Sequence, residues 1–257
     1  MTRPLSRALA PLVEDLELDA VVVVTTKELL SRARRVGIKV PSVGITRLAQ
    51  QGWLLKTGVS GAWEFAPASH AGPISHGDVF LTLRAQLAVT PDLPARVALL
   101  SALWRHGITD RPPNHHEVSV PPRTHVPVAL TRAFDVSRFQ PELPAVTIDR
   151  LPVNGLATTL VHLVARPTAV ASWGAVMEVL DELVAAADPD DVLREAHSRP
   201  AATRVRLAYL IEPVAPELVE RLEVSPGPLV WFGPRRKLRR YSARWNVADT
   251  VLPPDNR

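Results

Sequence analysis

Residues 41–58 read PSVGITRLAQQGWLLKTG. Two periodicities meet in this stretch. Ile45, Leu48 and Ala49 recur at helical spacing, and Trp53, Leu54 and Leu55 follow Gly52 as a strand-like run. Gly52 suits the left-handed stop of a helix, and Ser42 is placed to cap its start. Thr46, Arg47 and Gln50 are left on the outer face. The stretch is either a core helix with its hairpin or a recognition helix leading into a wing, and the flanking sequence decides between them.

Upstream, residues 4–17 carry Leu5, Leu9, Leu12, Val13 and Leu16 at helical spacing, and AVVVVTT (20–26) is short and β-branched, as a buried strand is. TTKELLSRARRVG (25–37) has the capping-box spacing of Thr25 and Glu28. An apolar stripe of Leu29, Leu30, Ala33 and Val36 follows, with Gly37 as the stop. Downstream, WLLKT, GVSG and AWEFA (53–66) read as a hairpin. Helix, short turn, helix, hairpin is the order of a winged helix-turn-helix. Between Lys27 and Lys56 stand seven basic residues against the single acid Glu28. A core hairpin has no use for that imbalance, whereas duplex phosphate does.

The 257 residues are 46% hydrophobic and 22% charged, values of a globular chain with a sizeable core. No cysteine is present, which excludes disulfides and thiolate zinc sites. No apolar run reaches membrane-spanning length and the N-terminus lacks a signal-peptide core, so the expected location is cytoplasmic, with no membrane partner. The net charge of +4 is unevenly spread. Residues 1–67 hold nine basic and six acidic side chains, 68–233 hold fourteen and eighteen, and 234–245 hold six basic residues and no acid. Basic clusters are what polyanion binding requires, though a charge run also serves as a solvated face.

The expected fold class is α+β: a winged helix-turn-helix over 1–67, a linker over 68–73 (within PASHAGP), and a larger mixed domain over 74–257. In the latter, 78–87 and 94–106 read as helices. HEVSVP, VPVALTRAF and AVTIDRLP (116–121, 126–134 and 145–152) read as strands. Helices are expected over 156–167, 172–187, 188–195 and 200–212, followed by strand-like GPLVWF and RRYSARWNV.

No catalytic constellation stands out. His115, His116, Glu117 and His125 are nitrogen and oxygen donors, but they lack the i, i+4 helical spacing of a zinc motif. Adjacent histidines on a strand also face opposite ways. His162 lies beside an apolar helix stripe. Asp188, Asp190 and Asp191 fit a helix cap with acids in the first turn. Trp53, Trp63, Trp104 and Trp173 fall on apolar faces, and Trp231 and Trp245 read as strand residues flanking the basic segment. No enzyme activity, metal or cofactor is expected.

TTKELLSRARRVGI, GITRLAQQGWLLKTG, ALLSALWRHGIT, ATTLVHLVARP, RLAYLIE and RRYSARWNV, in that order, resemble the AbiEi antitoxins of type IV toxin–antitoxin systems. The wing GVSGAWEF differs from the family in lacking an arginine-rich ending. The resemblance implies an N-terminal winged helix on operator DNA and a C-terminal antitoxin domain. It also implies a partner, an AbiEii-type nucleotidyltransferase-like toxin encoded alongside, and repression of the shared promoter. On this reading Ser42, Thr46, Arg47 and Gln50 face base edges. Arg32, Arg34, Arg35, Lys39 and Lys56 hold phosphates. Arg235, Arg236, Lys237, Arg239, Arg240 and Arg244 contact nucleic acid or the toxin. The alternative is a protein-interaction module whose winged helix binds no DNA.

Overall fold

The computed structural model describes residues 4–69, 75 and 77–254. The chain divides into two compact units, one of residues 1–93 with 126–133, the other of 94–125 with 134–257. The division thus lies later than the 68–73 linker expected from sequence, of which residues 70–73 fall outside the described residues.

The first unit opens with α1 (Ala10–Leu18), β1 (Val23–Thr25), α2 (Thr26–Arg35) and α3 (Pro41–Gln50). The strands β2 (Leu54–Lys56) and β3 (Ala62–Phe65) and the helix α4 (Leu81–Val89) follow. The strands form an antiparallel sheet in the order β1-β3-β2, with Leu54 opposite Phe65 and Val24 opposite Trp63. Leu12, Leu16, Val24, Leu29, Leu48 and Phe65 make a continuous core beneath the helices. Thr25 caps α2 as its sequence suggests, its hydroxyl accepting from the Glu28 amide at 3.1 Å. The capping box is one-sided, because the Glu28 carboxylate accepts from Arg32 instead. Ser42 caps nothing: α3 begins two residues earlier than a Ser42 cap implies, with Pro41 in the first turn and Val40 at the cap position.

In the second unit, β4 (Arg96–Val97), α5 (Leu99–Arg105) and β5 (Glu117–Val120) come first. The chain then leaves for α6 (Val128–Ala133), which packs on α4 in the first unit. It returns for β6 (Asp135–Arg138), β7 (Val146–Ile148) and β8 (Leu151–Val153). The helices α7 (Leu156–Ala165), α8 (Trp173–Glu178), α9 (Leu180–Ala186) and α10 (Pro189–His197) follow. Completing the chain are α11 (Ala201–Ile211), α12 (Pro216–Arg221), β9 (Val230–Phe232), β10 (Arg240–Ser242) and β11 (Val247–Asp249).

A mixed five-stranded sheet runs β6-β5-β4-β8-β7, and a smaller one runs β10-β11-β9. The helix α7 packs against α5, α10 and α11 and is buried from Ala157 to Val164 on all sides, as a helix at the centre of a core must be. The mixed α+β class agrees with expectation, and three local readings do not. Residues 94–106 are not one helix: Arg96–Val97 pair with β5 on one side and β8 on the other, and Leu99 turns the chain at φ 51°. VPVALTRAF is a helix led by Pro127 rather than a strand. The helix over 172–187 breaks at Val179, whose φ of −119° and ψ of 9° leave helical geometry.

Candidate nucleic-acid interface

The helix α3 is seated by what it buries. Ile45 and Leu48 face the core, and a Cβ on Gly44 would lie 3.1 Å from Leu9 and 3.4 Å from Ile38, so the start of α3 presses closely on α1. The outward side is left to Ser42, Val43, Thr46, Arg47 and Gln50, all exposed. Thr46 Oγ1 donates to the Ser42 carbonyl at 3.0 Å, which turns that hydroxyl partly inward. Lys39 before α3, Lys56 at the end of β2 and Arg34 on α2 are exposed.

The two remaining arginines of α2 are held by acids. Arg32 is only 14% exposed; it donates to Asp15 at 2.8 Å, Asp19 at 2.5 Å and Glu28 at 2.8 Å. Burial works to lower its pKa, but the three carboxylates outweigh burial and raise it. Arg35 reaches Asp15 at 2.5 Å while remaining 63% exposed. For Asp15, burial opposes ionisation, and the bonds from both arginines overcome it and lower its pKa. Arg32 therefore serves as a strut between α1 and α2, which differs from the phosphate contact expected of it. The acids α1 supplies lie in a different segment, so spacing within α2 carried no sign of them.

Sequence reasoning passed over Val40 and Val43, which are 54% and 45% exposed beside the polar face of α3. Apolar residues in an amphipathic helix are ordinarily assigned inward. Their positions relative to Ile45 and Leu48, off the 3.6-residue stripe, were the available signal.

In the second unit the basic segment 235–244 is bound partly to its own backbone. Arg239 donates to the carbonyls of Val251 at 3.0 Å and Leu252 at 3.2 Å, Arg240 to Pro253 at 3.1 Å, and Arg236 to Thr250 at 3.4 Å. Arg244 pairs with Glu212 at 2.6 Å. Arg235 and Lys237 are exposed, and Tyr241 and Leu238 stand beside them, 53% and 46% exposed. Trp245 is buried, but it lies in the turn between β10 and β11 rather than in a strand.

The polar groups of the interior bond to one another and to buried backbone. Glu117 exchanges bonds with Ser101: its carboxylate accepts from the Ser101 amide at 3.0 Å, and its own amide donates to the Ser101 hydroxyl at 2.8 Å. Burial pushes its carboxyl up to about 7, with Asp135 adding to the rise. Burial, with Arg166 and Arg199, drives His162 down to about 3; the neutral ring stacks on Phe139 at 4.1 Å and meets Ser137 Oγ at 3.2 Å. Glu195, fully buried, accepts from the amides of Glu142 and Leu143 and from Thr158, and pairs with Arg199. The i, i+4 spacing of Glu195 and Arg199 was the one local signal, and its other partners, Thr158 and Glu142, lie 37 and 53 residues away. Among the described residues no group of three or more histidines or acids is arranged to hold a metal ion. No described helix is long and apolar enough to cross a membrane.

Residues 96–213 match the family described as the AbiEi antitoxin C-terminal domain. A solved structure, that of the RV2827C protein from Mycobacterium tuberculosis, is similar along nearly the whole chain. It is 25% identical, covers 97% of this chain and 94% of its own, and superposes with a TM-score of 0.79. None of the curated proteins compared matches the chain.

Proposed function

We propose that the chain, whose residues 96–213 match the AbiEi antitoxin C-terminal domain, is an AbiEi antitoxin, that its first unit is a winged helix on operator DNA and that the protein represses its own promoter. The toxin it counteracts, on this reading, is an AbiEii-type nucleotidyltransferase-like partner.

One observation carries the DNA reading. The outer face of α3 presents Ser42, Thr46, Arg47 and Gln50 to solvent while Ile45 and Leu48 lock the helix to the core just ahead of the β2–β3 hairpin. Arginine reads guanine and glutamine reads adenine in the major groove, and a helix fixed by its inner face holds them in register. Lys39, Lys56 and Arg34 hold phosphates, and Arg35 does so with the part of its charge that Asp15 leaves uncompensated. Arg32 is withdrawn from that set.

The test is binding of the full chain to the duplex upstream of its own gene against a scrambled duplex, across a salt series. Preference for the upstream duplex, weakening with salt, supports repression. Absence of any salt-dependent binding favours the interaction-module reading instead.

The basic segment of the second unit is the candidate contact for toxin or nucleic acid. Reversing charge at Arg235 and Arg236 separates the two jobs. Loss of rescue from the toxin with DNA affinity intact assigns the segment to the partner, and loss of DNA affinity assigns it to the footprint.

A further inference from the structure

We propose that Val43 reads the C5-methyl group of a thymine, so that base selection by this protein includes an apolar contact beside the polar ones. The inference rests on reading α3 as a recognition helix.

Val43 has no work in the core. It is 45% exposed, whereas Ile45 and Leu48 on the same helix are 6% and 0% exposed. It lies three, four and seven residues before Thr46, Arg47 and Gln50, so the four side chains form one stripe along the outward side. Other valines are as exposed, Val79 at 45% and Val128 at 60%; what distinguishes Val43 is its place in one stripe with hydroxyl, guanidinium and amide groups. It matches one chemical surface well. The major-groove edge of a base pair is polar throughout except at the methyl of thymine, and phosphates flank it on both sides. Arg47 stands on the stripe, and Lys39 lies exposed just ahead of α3. A basic rim around an apolar point is complementary to that edge, and a purely apolar protein partner has no need of the rim.

Geometry supports a firm contact. Val43 sits in the first turn of α3, the part of a recognition helix that approaches base edges. The next residue is Gly44, whose close approach to Leu9 and Ile38 holds that turn against α1. A β-branched side chain has little rotamer freedom to lose on contact.

The experiment selects preferred duplexes from a random pool with the full-length protein, then replaces each thymine in turn by uracil, which removes only the methyl. Wild type and Val43→Ala are titrated against every duplex, with Val43→Thr, which keeps one methyl in the same shape, as the second variant. At one position uracil is expected to weaken wild-type binding about fourfold, the effect of one buried methyl. The same replacement is expected to change Val43→Ala binding by less than twofold, a non-additivity of roughly the size contacts in register produce. Uracil effects that are equal in wild type and Val43→Ala at every thymine overturn the inference and leave the DNA reading standing. Failure of the wild type to select any duplex overturns the DNA reading itself, and this inference with it.

Discussion

Arg32 Nη1 lies 2.8 Å from Asp15 Oδ2, tying the second helix of the N-terminal unit to the first. The same guanidinium also reaches Asp19 and Glu28, so its charge is satisfied inside the unit. Lys39, seven residues on, carries the same charge into open solvent.

That contrast predicts a split between two alanine variants. Arg32→Ala removes a largely buried cation from three acids, and the thermal or urea midpoint should fall by the equivalent of about 1–3 kcal/mol. Lys39→Ala should leave the midpoint unchanged while weakening DNA binding evenly across sequences and flattening its salt slope by about one. If Arg32→Ala unfolds at the wild-type midpoint, the strut is not holding the helices.

Arg47→Ala should behave differently from both. It is expected to cost roughly 1–3 kcal/mol on preferred duplexes and to relax base preference at one position, with stability unchanged. Selection of the same duplex set by the variant would show that α3 does not read bases through Arg47.

Gly233 sits at φ 108°, and a Cβ there would lie 2.4 Å from Val251 and 2.6 Å from Thr250. Both contacts are with short, β-branched side chains just after β11, Val251 Cγ1 and Thr250 Oγ1, and the Thr250 hydroxyl is held by the carbonyls of Phe232 and Pro234, so neither turns away freely. Gly233→Ala should destabilise the second unit by more than about 2 kcal/mol, read as a lowered unfolding midpoint.

Glu117 and His162 give opposite pH dependences. Burial, helped by Asp135, holds the Glu117 proton up to about 7, against 4.5 for an ordinary glutamate. Between those values the folded chain carries a proton that the unfolded chain has lost. Stability therefore falls as pH rises through that window, by at most about 3 kcal/mol, and Glu117→Gln should remove the decline. Burial, with Arg166 and Arg199, depresses His162 to about 3, against 6.5. There the unfolded chain takes up a proton that the fold refuses, so stability is lost as pH falls below 6.5, and His162→Gln should remove that loss. Urea midpoints from pH 3 to 8 for the three proteins check both slopes; slopes identical across all three would show that neither group is coupled to folding.

Much of the chain was legible without coordinates, because the information was local. The Thr25 cap, the stop at Gly37, the hairpin from Leu54 to Phe65 and the Asp188 cap each depend on residues a few positions apart. Ile45 and Leu48 inward with Arg47 and Gln50 outward follow from helical period alone. The family likeness likewise came from short motifs kept in order.

What tertiary structure alone decided involves partners far apart in sequence. Arg96–Val97 become a central strand because β5 and β8 flank them, although the residues themselves suit a helix. Residues 128–133 are helical where VPVALTRAF reads as a strand, and they pack with α4, in a unit their sequence position did not suggest. Asp15 and Asp19, from α1 and its C-terminal cap, add to the local Glu28 pair to neutralise Arg32, and Glu195 is buried among groups from two distant segments. Val43 is exposed because the close packing of Gly44 sets how α3 is rotated on its core. Period and capping are properties of a segment, whereas burial, pairing and charge compensation depend on which segments meet.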